Sequence, residues 1–110
     1  MKFNKNGFSK IDWKNIIPLR QSGSNGISFA KVVEIGNYKL MMVDYSSGFE
    51  ADSWCAKGHI LLVLDGEVGI KMKDGTIHLL TSEKSINLPD DINNPHFIYS
   101  EKGGKVFMIE

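Results

Sequence analysis

One cysteine and two histidines carry the side chains with the strongest metal-binding chemistry in this sequence. Cys55 is the only cysteine in the 110-residue chain, His59 follows it by four residues, and His96 lies far along the chain in "LPDDINNPHF". Thiolate sulfur and imidazole nitrogen are common donors to zinc and iron in proteins. Three such ligands with one open position are typical of a reactive centre. The sequence therefore predicts a divalent metal ion, zinc or iron, on Cys55, His59 and His96.

The spacing within "DSWCAKGHI" explains how these donors can meet. Residues two apart on an extended strand point to the same face, so Ser53 and Cys55 project together while Trp54 points away. The pair Lys57–Gly58 can turn the chain so that His59 enters from the neighbouring strand. A serine hydroxyl is a poor ligand unless it is deprotonated, so water would complete the coordination shell beside Ser53.

Other interpretations of the same residues stay open. Cys55 could be a small core residue before the apolar run "HILLVL", and His59 could be a hydrogen-bonded pocket histidine. His96, directly after Pro95, could simply begin a strand. Ser53, Cys55 and His59 could also be a nucleophile with its base, but nothing in the sequence marks an orienting residue or an oxyanion hole.

Tyrosine hydroxyls are the next candidates for binding a ligand. Small-molecule sites are largely apolar with a few polar groups that orient the ligand. We therefore predict that Tyr38, Tyr45 and Tyr99 line the pocket together with Ser53. Glu50 and Asp52 could reach the pocket rim, although loop carboxylates usually face water.

These residues must be positioned by β-strands, because turn signals recur about every ten residues with β-prone runs between them. The segment "EVGIKMK" alternates apolar and polar residues, as a strand with one wet face does. The dipeptides Asp65–Gly66 and Asp74–Gly75 each predict a hairpin turn. Only the segment around "DWKNII" resembles a short helix. Eight or nine short strands without long helices indicate an all-β sandwich or barrel.

The stretch "SSGFEADSWCAKGHILLVLDGEV" resembles the first conserved motif of the cupin superfamily. In that motif a Gly is followed by His-x-His, then by an acidic residue and a closing Gly. Gly48 and Gly66 match the two glycines. The ligand positions are occupied here by Ser53, Cys55 and His59. The second cupin motif, a Pro-containing loop ending in His, is similar to "LPDDINNPHF" and supplies His96.

The whole chain resembles the small cupins named for an Asp-His-Trp-Cys motif, whose core reads "DHWC…KGHILxxLxGE". The opening "IDW" and the closing "KVFMIE" agree with that family, whereas Ser53 stands where the family usually has His. The resemblance implies a double-stranded β-helix, or jelly roll, with a pocket inside the barrel that often holds a metal. It implies no particular reaction. We expect a metal-binding and small-molecule-binding cupin of undefined activity, or alternatively a metal-free ligand-binding or sensing cupin with a degenerate metal site.

Composition limits the partners and the compartment. Thirteen basic and thirteen acidic residues cancel, and no basic stripe appears, which argues against nucleic acid or an anionic membrane as the main partner. No window approaches the roughly 20 apolar residues of a membrane span, and the N-terminus lacks the apolar run of a secretory signal. A single cysteine fits a reducing compartment, so we predict a cytoplasmic protein.

The length predicts one domain over residues 1–110, with a short N-terminal arm over about residues 1–26. Small cupins commonly pair through an edge strand. The expected number of exposed strand edges makes a homodimer our prediction.

Overall fold

The computed structural model describes residues 8–110, which form nine β-strands and one short 3-10 helix. The predicted all-β architecture is confirmed, and the helical candidate near "DWKNII" is a single 3-10 turn whose N-cap, Asp12, accepts a hydrogen bond from the Lys14 backbone N–H. The elements are the 3-10 helix Trp13–Asn15, β1 Leu19–Ser22, β2 Ile27–Ile35, β3 Tyr38–Tyr45, β4 Phe49–Glu50, β5 His59–Met72, β6 Ile77–Thr81, β7 Ser85–Leu88, β8 His96–Ser100 and β9 Gly104–Ile109.

Two antiparallel sheets share the long strand β5. Its first half pairs with β9 and β7, which extends the sheet β1-β2-β3-β9-β5-β7. Its second half pairs with β6 and β8, and β8 pairs with β4. A single strand therefore passes from one sheet to the other and curls them around a common interior.

The predicted hairpin at Asp65–Gly66 is wrong, because β5 continues through this pair. The register with β9 shifts between Val63 and Asp65, and Gly66 has φ 73°. This bulge bends the strand at the point where it changes sheets, since an extra residue on one strand increases its local twist. The dipeptide Asp65–Gly66 therefore marks a bend in the strand, but the chain does not reverse its direction there.

The predicted hairpin at Asp74–Gly75 is confirmed and joins β5 to β6. The Thr76 backbone N–H donates to Asp74 Oδ1 at 2.9 Å, and the Met72 N–H donates to the Thr76 carbonyl at 2.8 Å. Hydrogen bonds from the Thr76 backbone and hydroxyl to the carboxylate lower the pKa of Asp74. Gly75, at φ 99°, supplies the conformation that other residues avoid.

The core lies between the two sheets and depends on the alternation within β5. Leu61, Val63, Val68 and Ile70 are fully buried, as is Val106 on β9. Each such side chain stabilises the fold by roughly 1.5–3 kcal/mol relative to its exposed state. The predicted inward face of "EVGIKMK" is therefore confirmed for Val68 and Ile70.

The predicted N-terminal arm lies only in part within the described residues, because residues 1–7 fall outside them. Of the remainder, Trp13 packs edge-on against Phe107 with ring centroids 6.1 Å apart, and its carbonyl accepts a hydrogen bond from Lys31 Nζ at 2.8 Å.

Across residues 8–110, no helix has the length and apolar character that a membrane crossing requires. The single-domain boundary stays a prediction.

Candidate ligand-binding site

The backbone fixes Cys55 and His96 on one face of the second sheet. The Cys55 N–H donates to the His96 carbonyl at 2.8 Å, and the His96 N–H donates to the Cys55 carbonyl at 2.9 Å. Residues paired directly across an antiparallel bridge project their side chains to the same side. The sequence segments of the two predicted motifs therefore meet at this isolated bridge.

The turn before β5 brings His59 to the same place. The Gly58 N–H donates to Asp90 Oδ1 at 2.6 Å, and the Asp91 N–H donates to the Ala56 carbonyl at 2.9 Å. A side chain at Gly58 would collide with the Leu88 carbonyl, so the close passage of these two segments requires glycine. The predicted turn at Lys57–Gly58 is observed, and it places His59 opposite Leu88 at the start of β5.

The two imidazole rings are in contact and are held differently. The ring centroids of His59 and His96 are 4.7 Å apart, with an edge-to-face angle of 77°. His59 Nδ1 donates to Glu110 Oε2 at 3.4 Å, because an ionised carboxylate only accepts. Lys39 Nζ and Lys57 Nζ lie 3.4 and 3.8 Å from Glu110 Oε1. The Glu110 contact leaves Nε2 of a neutral His59 as an acceptor.

His96 is the buried member of the pair, with 5% of its surface exposed. Burial, together with the nearby charge of His59, lowers the pKa of His96 to about 4. A neutral imidazole is consequently the form present at pH 7, since charging it would cost desolvation. His96 therefore offers the site one N–H donor and one acceptor rather than a positive charge.

The predicted ligand positions converge on one cavity of about 200 Å³, which we call the histidine pocket. Its lining residues are Tyr45, Ala51, Asp52, Ser53, Cys55, His59, His96, Ile98 and Met108. All four cupin-motif positions are among them. The pocket combines an apolar floor with hydroxyl, thiol and imidazole groups, which is the usual composition of a small-molecule site.

The three tyrosines expected in the pocket are placed differently. Tyr45 lines the histidine pocket, and burial raises the pKa of its hydroxyl, which stays a hydrogen-bond donor. Tyr99 faces the opposite side of β8, in a separate depression with Lys71, where its ring covers Gly69. Tyr38, at the start of β3, is not among the pocket-lining residues.

Two residues contribute to the site without a signal strong enough to predict them. Asp52 lines the pocket, and its carboxylate accepts a hydrogen bond from Ser53 Oγ at 3.3 Å. Glu110 contacts His59 although 51 residues separate them. The sequence suggested Asp52 only as a possible rim residue, and Glu110 carried no local pattern that links it to a histidine.

A second cavity of about 200 Å³, the adjoining pocket, continues the first between the sheets. Ala30, Met41, Val43 and Phe49 form its apolar wall, and Ser28 adds a hydroxyl. The two pockets share the lining residues Tyr45, Ala51, Asp52, Ile98 and Met108. The two pockets therefore lie side by side, with the imidazole and thiol groups in the first and most of the apolar wall in the second.

The side chains do not stand as a preformed metal site. Across residues 8–110, no three His, Cys, Asp or Glu side chains group in a way that could hold a metal ion. The Cys55 thiol donates to the Lys57 carbonyl at 3.6 Å, and His59 Nδ1 is engaged by Glu110. The donor types suit zinc or iron, but the arrangement of these side chains does not fit a metal ion.

No protein-family profile and no curated protein sequence matches this chain, whereas solved structures do. The crystal structure of Fe(II)-HppE with the alternative substrate (S)-1-HPP superimposes with a TM-score of 0.77 at 18% identity, over 96% of this chain and 61% of that chain. An RmlC-like cupin from Shewanella frigidimarina gives a TM-score of 0.72 at 17% identity, over 99% of this chain and 92% of that chain. The chain has the cupin fold.

A third similar structure is a sugar phosphate isomerase of the cupin superfamily from Silicibacter pomeroyi, with a TM-score of 0.70 at 14% identity, over 92% of this chain and 74% of that chain. The predicted small cupin barrel is thus confirmed as a fold. This chain spans less than two thirds of the HppE chain that it matches. The iron and the sugar phosphate belong to those proteins, and the narrower resemblance to the Asp-His-Trp-Cys cupins stays a prediction.

Proposed function

We propose that this cupin binds a small molecule in the space formed by the histidine pocket and the adjoining pocket. The observation that carries the proposal is the convergence of Ser53, Cys55, His59 and His96 on one concave site. His96 comes from a segment far along the chain from the other three residues, and core packing by itself does not require two imidazoles, a thiol and a hydroxyl at one place. A binding or sensing module of this kind needs no metal.

The polar groups give the ligand a defined orientation. Tyr45 donates a hydrogen bond from its hydroxyl, and His59 Nε2 accepts one because Glu110 engages Nδ1. Met108 and Ile98 form the floor against which an apolar part of the ligand packs. Fixed polar groups of this kind supply specificity, while the apolar area supplies affinity.

A ligand-observed NMR screen of neutral fragments tests the proposal. Ala51 lines both pockets, so Ala51→Leu fills the shared space and should weaken fragment binding at least about tenfold, while Ala56→Leu, on the exposed turn, makes the same change outside. Ser53→Phe at the exposed mouth repeats the test if Ala51→Leu fails to fold, which thermal unfolding reports. No binding to the wild type, or equal binding to all variants, would overturn the proposal.

A metal-binding cupin is the second candidate function. It is favoured by the presence of one thiol and two imidazoles in the same pocket, and zinc or iron would be the ion that such donors hold. Cys55, His59 and His96 would be its ligands. The Lewis acidity of a bound ion would then be available to polarise a ligand.

Elemental analysis of protein purified without a His-tag separates the two candidates. Ser53→His supplies the imidazole that the Asp-His-Trp-Cys cupins usually carry, so a metal-binding pocket should take up zinc or iron at least about tenfold more tightly. Ser82→His, on an exposed turn away from the pocket, controls for adventitious binding. Less than about 0.1 metal ion per chain in the Ser53→His protein after reconstitution rejects a metal role.

We also propose that the cupin forms a homodimer through β1, the edge strand of its sheet. All four β1 residues are exposed, and the neighbouring Ile17 is 84% exposed. An uncovered strand edge with apolar side chains favours pairing with a second copy. A solution mass of 12.3 kDa by light scattering, the mass of one chain, would contradict this proposal.

A cytoplasmic location also stays a proposal, which the single cysteine supports. The balanced charge supports the proposal that neither nucleic acid nor a membrane is a partner.

A further inference from the structure

We infer that the ligand of this cupin is a small organic amine, whose ammonium group pairs with Asp52 and whose apolar body occupies the adjoining pocket. The inference rests on the proposed function and names the chemical class that the site selects.

Asp52 dominates the charge of the site. It is shared by both pockets, and no lysine or arginine lines either of them. Across residues 8–110, no cationic side chain forms an ion pair with Asp52, whose carboxylate accepts only the Ser53 hydroxyl. A carboxylate beside an apolar cavity has unused acceptor capacity, and an ammonium group satisfies it with charge-assisted hydrogen bonds.

The lysines nearest the histidine side of the site pair with Glu110. Its carboxylate lies 3.4 Å from Lys39 Nζ and 3.8 Å from Lys57 Nζ, and it also contacts His59 Nδ1 at 3.4 Å. Neither lysine lines the histidine pocket. The lining of this pocket therefore contains one carboxylate, that of Asp52, beside hydroxyl, thiol and imidazole groups.

Anionic ligands require the opposite arrangement. Phosphate and carboxylate groups are generally bound by arginine, lysine or the N-terminus of a helix. Neither pocket contains the first two, and the one helix within residues 8–110, Trp13–Asn15, lies outside both pockets. Asp52 is an exposed residue at the rim of both pockets, and its negative charge would repel an approaching anion. This cavity therefore discriminates against phosphorylated compounds.

The adjoining pocket determines the remainder of the ligand. The rings of Tyr45 and Phe49 are 4.7 Å apart and tilted by 46°, and both line this space with Met41 and Val43. Such a wall packs against an aryl or short alkyl group, and aromatic faces also attract a neighbouring cation. Asp52 lies at the boundary between the two pockets, where the ammonium end of such a molecule would sit.

Three probes of similar size test the charge preference: 2-phenylethylamine, 2-phenylethanol and phenylacetate, titrated into the wild-type chain and followed by calorimetry and ligand-observed NMR. We expect the amine to bind at least about tenfold more tightly than the alcohol, and the carboxylate to bind more weakly than both. Tighter or equal binding of phenylacetate would overturn the inference. Binding of the alcohol without an advantage for the amine would overturn it while leaving the proposed function intact.

Asp52→Asn removes the charge while keeping the shape of the side chain, and should reduce the amine's advantage over the alcohol to less than about threefold. Asp44→Asn changes the net charge equally on an exposed position of β3 outside both pockets, and should keep the full advantage. An unchanged preference in Asp52→Asn would overturn the assignment of Asp52. If none of the three probes binds the wild type at millimolar concentration, the inference fails. The neutral fragment screen then decides separately whether the cavity binds ligands.

Discussion

At the scale of single residues, the two histidines of the pocket have different roles although their rings touch. His59 is oriented by Glu110, whose own position is fixed by backbone hydrogen bonds in both directions with Lys39. Within residues 8–110 no carboxylate contacts the His96 ring, whose pKa is lowered mainly by burial. The same residue type therefore provides an anchored acceptor at one position and a neutral, desolvated ring at the other.

The low pKa of His96 makes the folding stability depend on pH. Its folded pKa is about 4, against an ordinary value of 6.5. Between these values the unfolded chain binds the proton more readily, so this contribution to stability is fully present above pH 6.5 and is lost as the pH falls towards 4. For the metal-free protein, the loss should be on the order of 3 kcal/mol, because each unit of pKa difference corresponds to about 1.4 kcal/mol.

Urea unfolding of the wild type and of His96→Gln between pH 4.5 and 7.5, with a chelator present, measures this effect. The variant lacks the titrating ring, so its stability should depend less steeply on pH than that of the wild type. NMR titration of the His96 ring gives the folded pKa directly. Parallel stability curves for the two proteins, or a His96 midpoint above pH 6, would contradict the assignment.

At the scale of elements, β5 does the most to shape the site. Its first residue is His59, and its first half pairs with β9. Its second half pairs with β8, the strand that begins with His96. The bulge next to Gly66 is what lets one strand serve both sheets. The two histidines can meet because β5 changes direction between these pairings.

Two glycines with positive φ allow the energetic cost of an unfavourable backbone conformation to be measured separately from the cost of a steric clash. A side chain at Gly66 would collide with the Gly103 carbonyl, whereas nothing lies within 4 Å of a side chain at Gly75. Gly75→Ala should therefore cost about 1–2 kcal/mol from the backbone conformation alone. Gly66→Ala should cost at least about 3 kcal/mol, because rigid backbone must also move. Equal losses in chemical denaturation would show that the bulge tolerates displacement.

At the scale of the whole molecule, the chain combines a fold that it shares with other proteins and a pocket with its own set of lining residues. The similar cupin structures share only 14–18% of their residues with this chain, yet the barrels superimpose with TM-scores of 0.70–0.77. Core positions of a β-barrel require apolar side chains of suitable size rather than particular ones, so the fold persists while the lining changes. The binding properties that we propose for this chain consequently depend on its own lining residues, with Asp52 foremost, and not on the fold.

Much of this arrangement could be predicted from local sequence. Alternation in "EVGIKMK" gave the correct inward face, and the turn residues gave nearly the correct number of strands. Asp65–Gly66 was misassigned because a left-handed glycine serves a bulge as well as a hairpin. Which use applies depends on whether the next segment pairs back on the same strand, and that is a nonlocal property.

The sequence by itself determined the all-β class, the inward face of β5 and the supply of donor side chains at Cys55, His59 and His96. Only the tertiary structure decided which side chains meet. Tyr45 and Tyr99 look alike in sequence, but strand register sends the first into the cavity and the second to the outer face. A shift of one residue in pairing reverses every side chain of a strand, and the pairing is set by packing across the whole barrel. The same long-range pairing brings Glu110 to His59, which no nearby residue could have indicated.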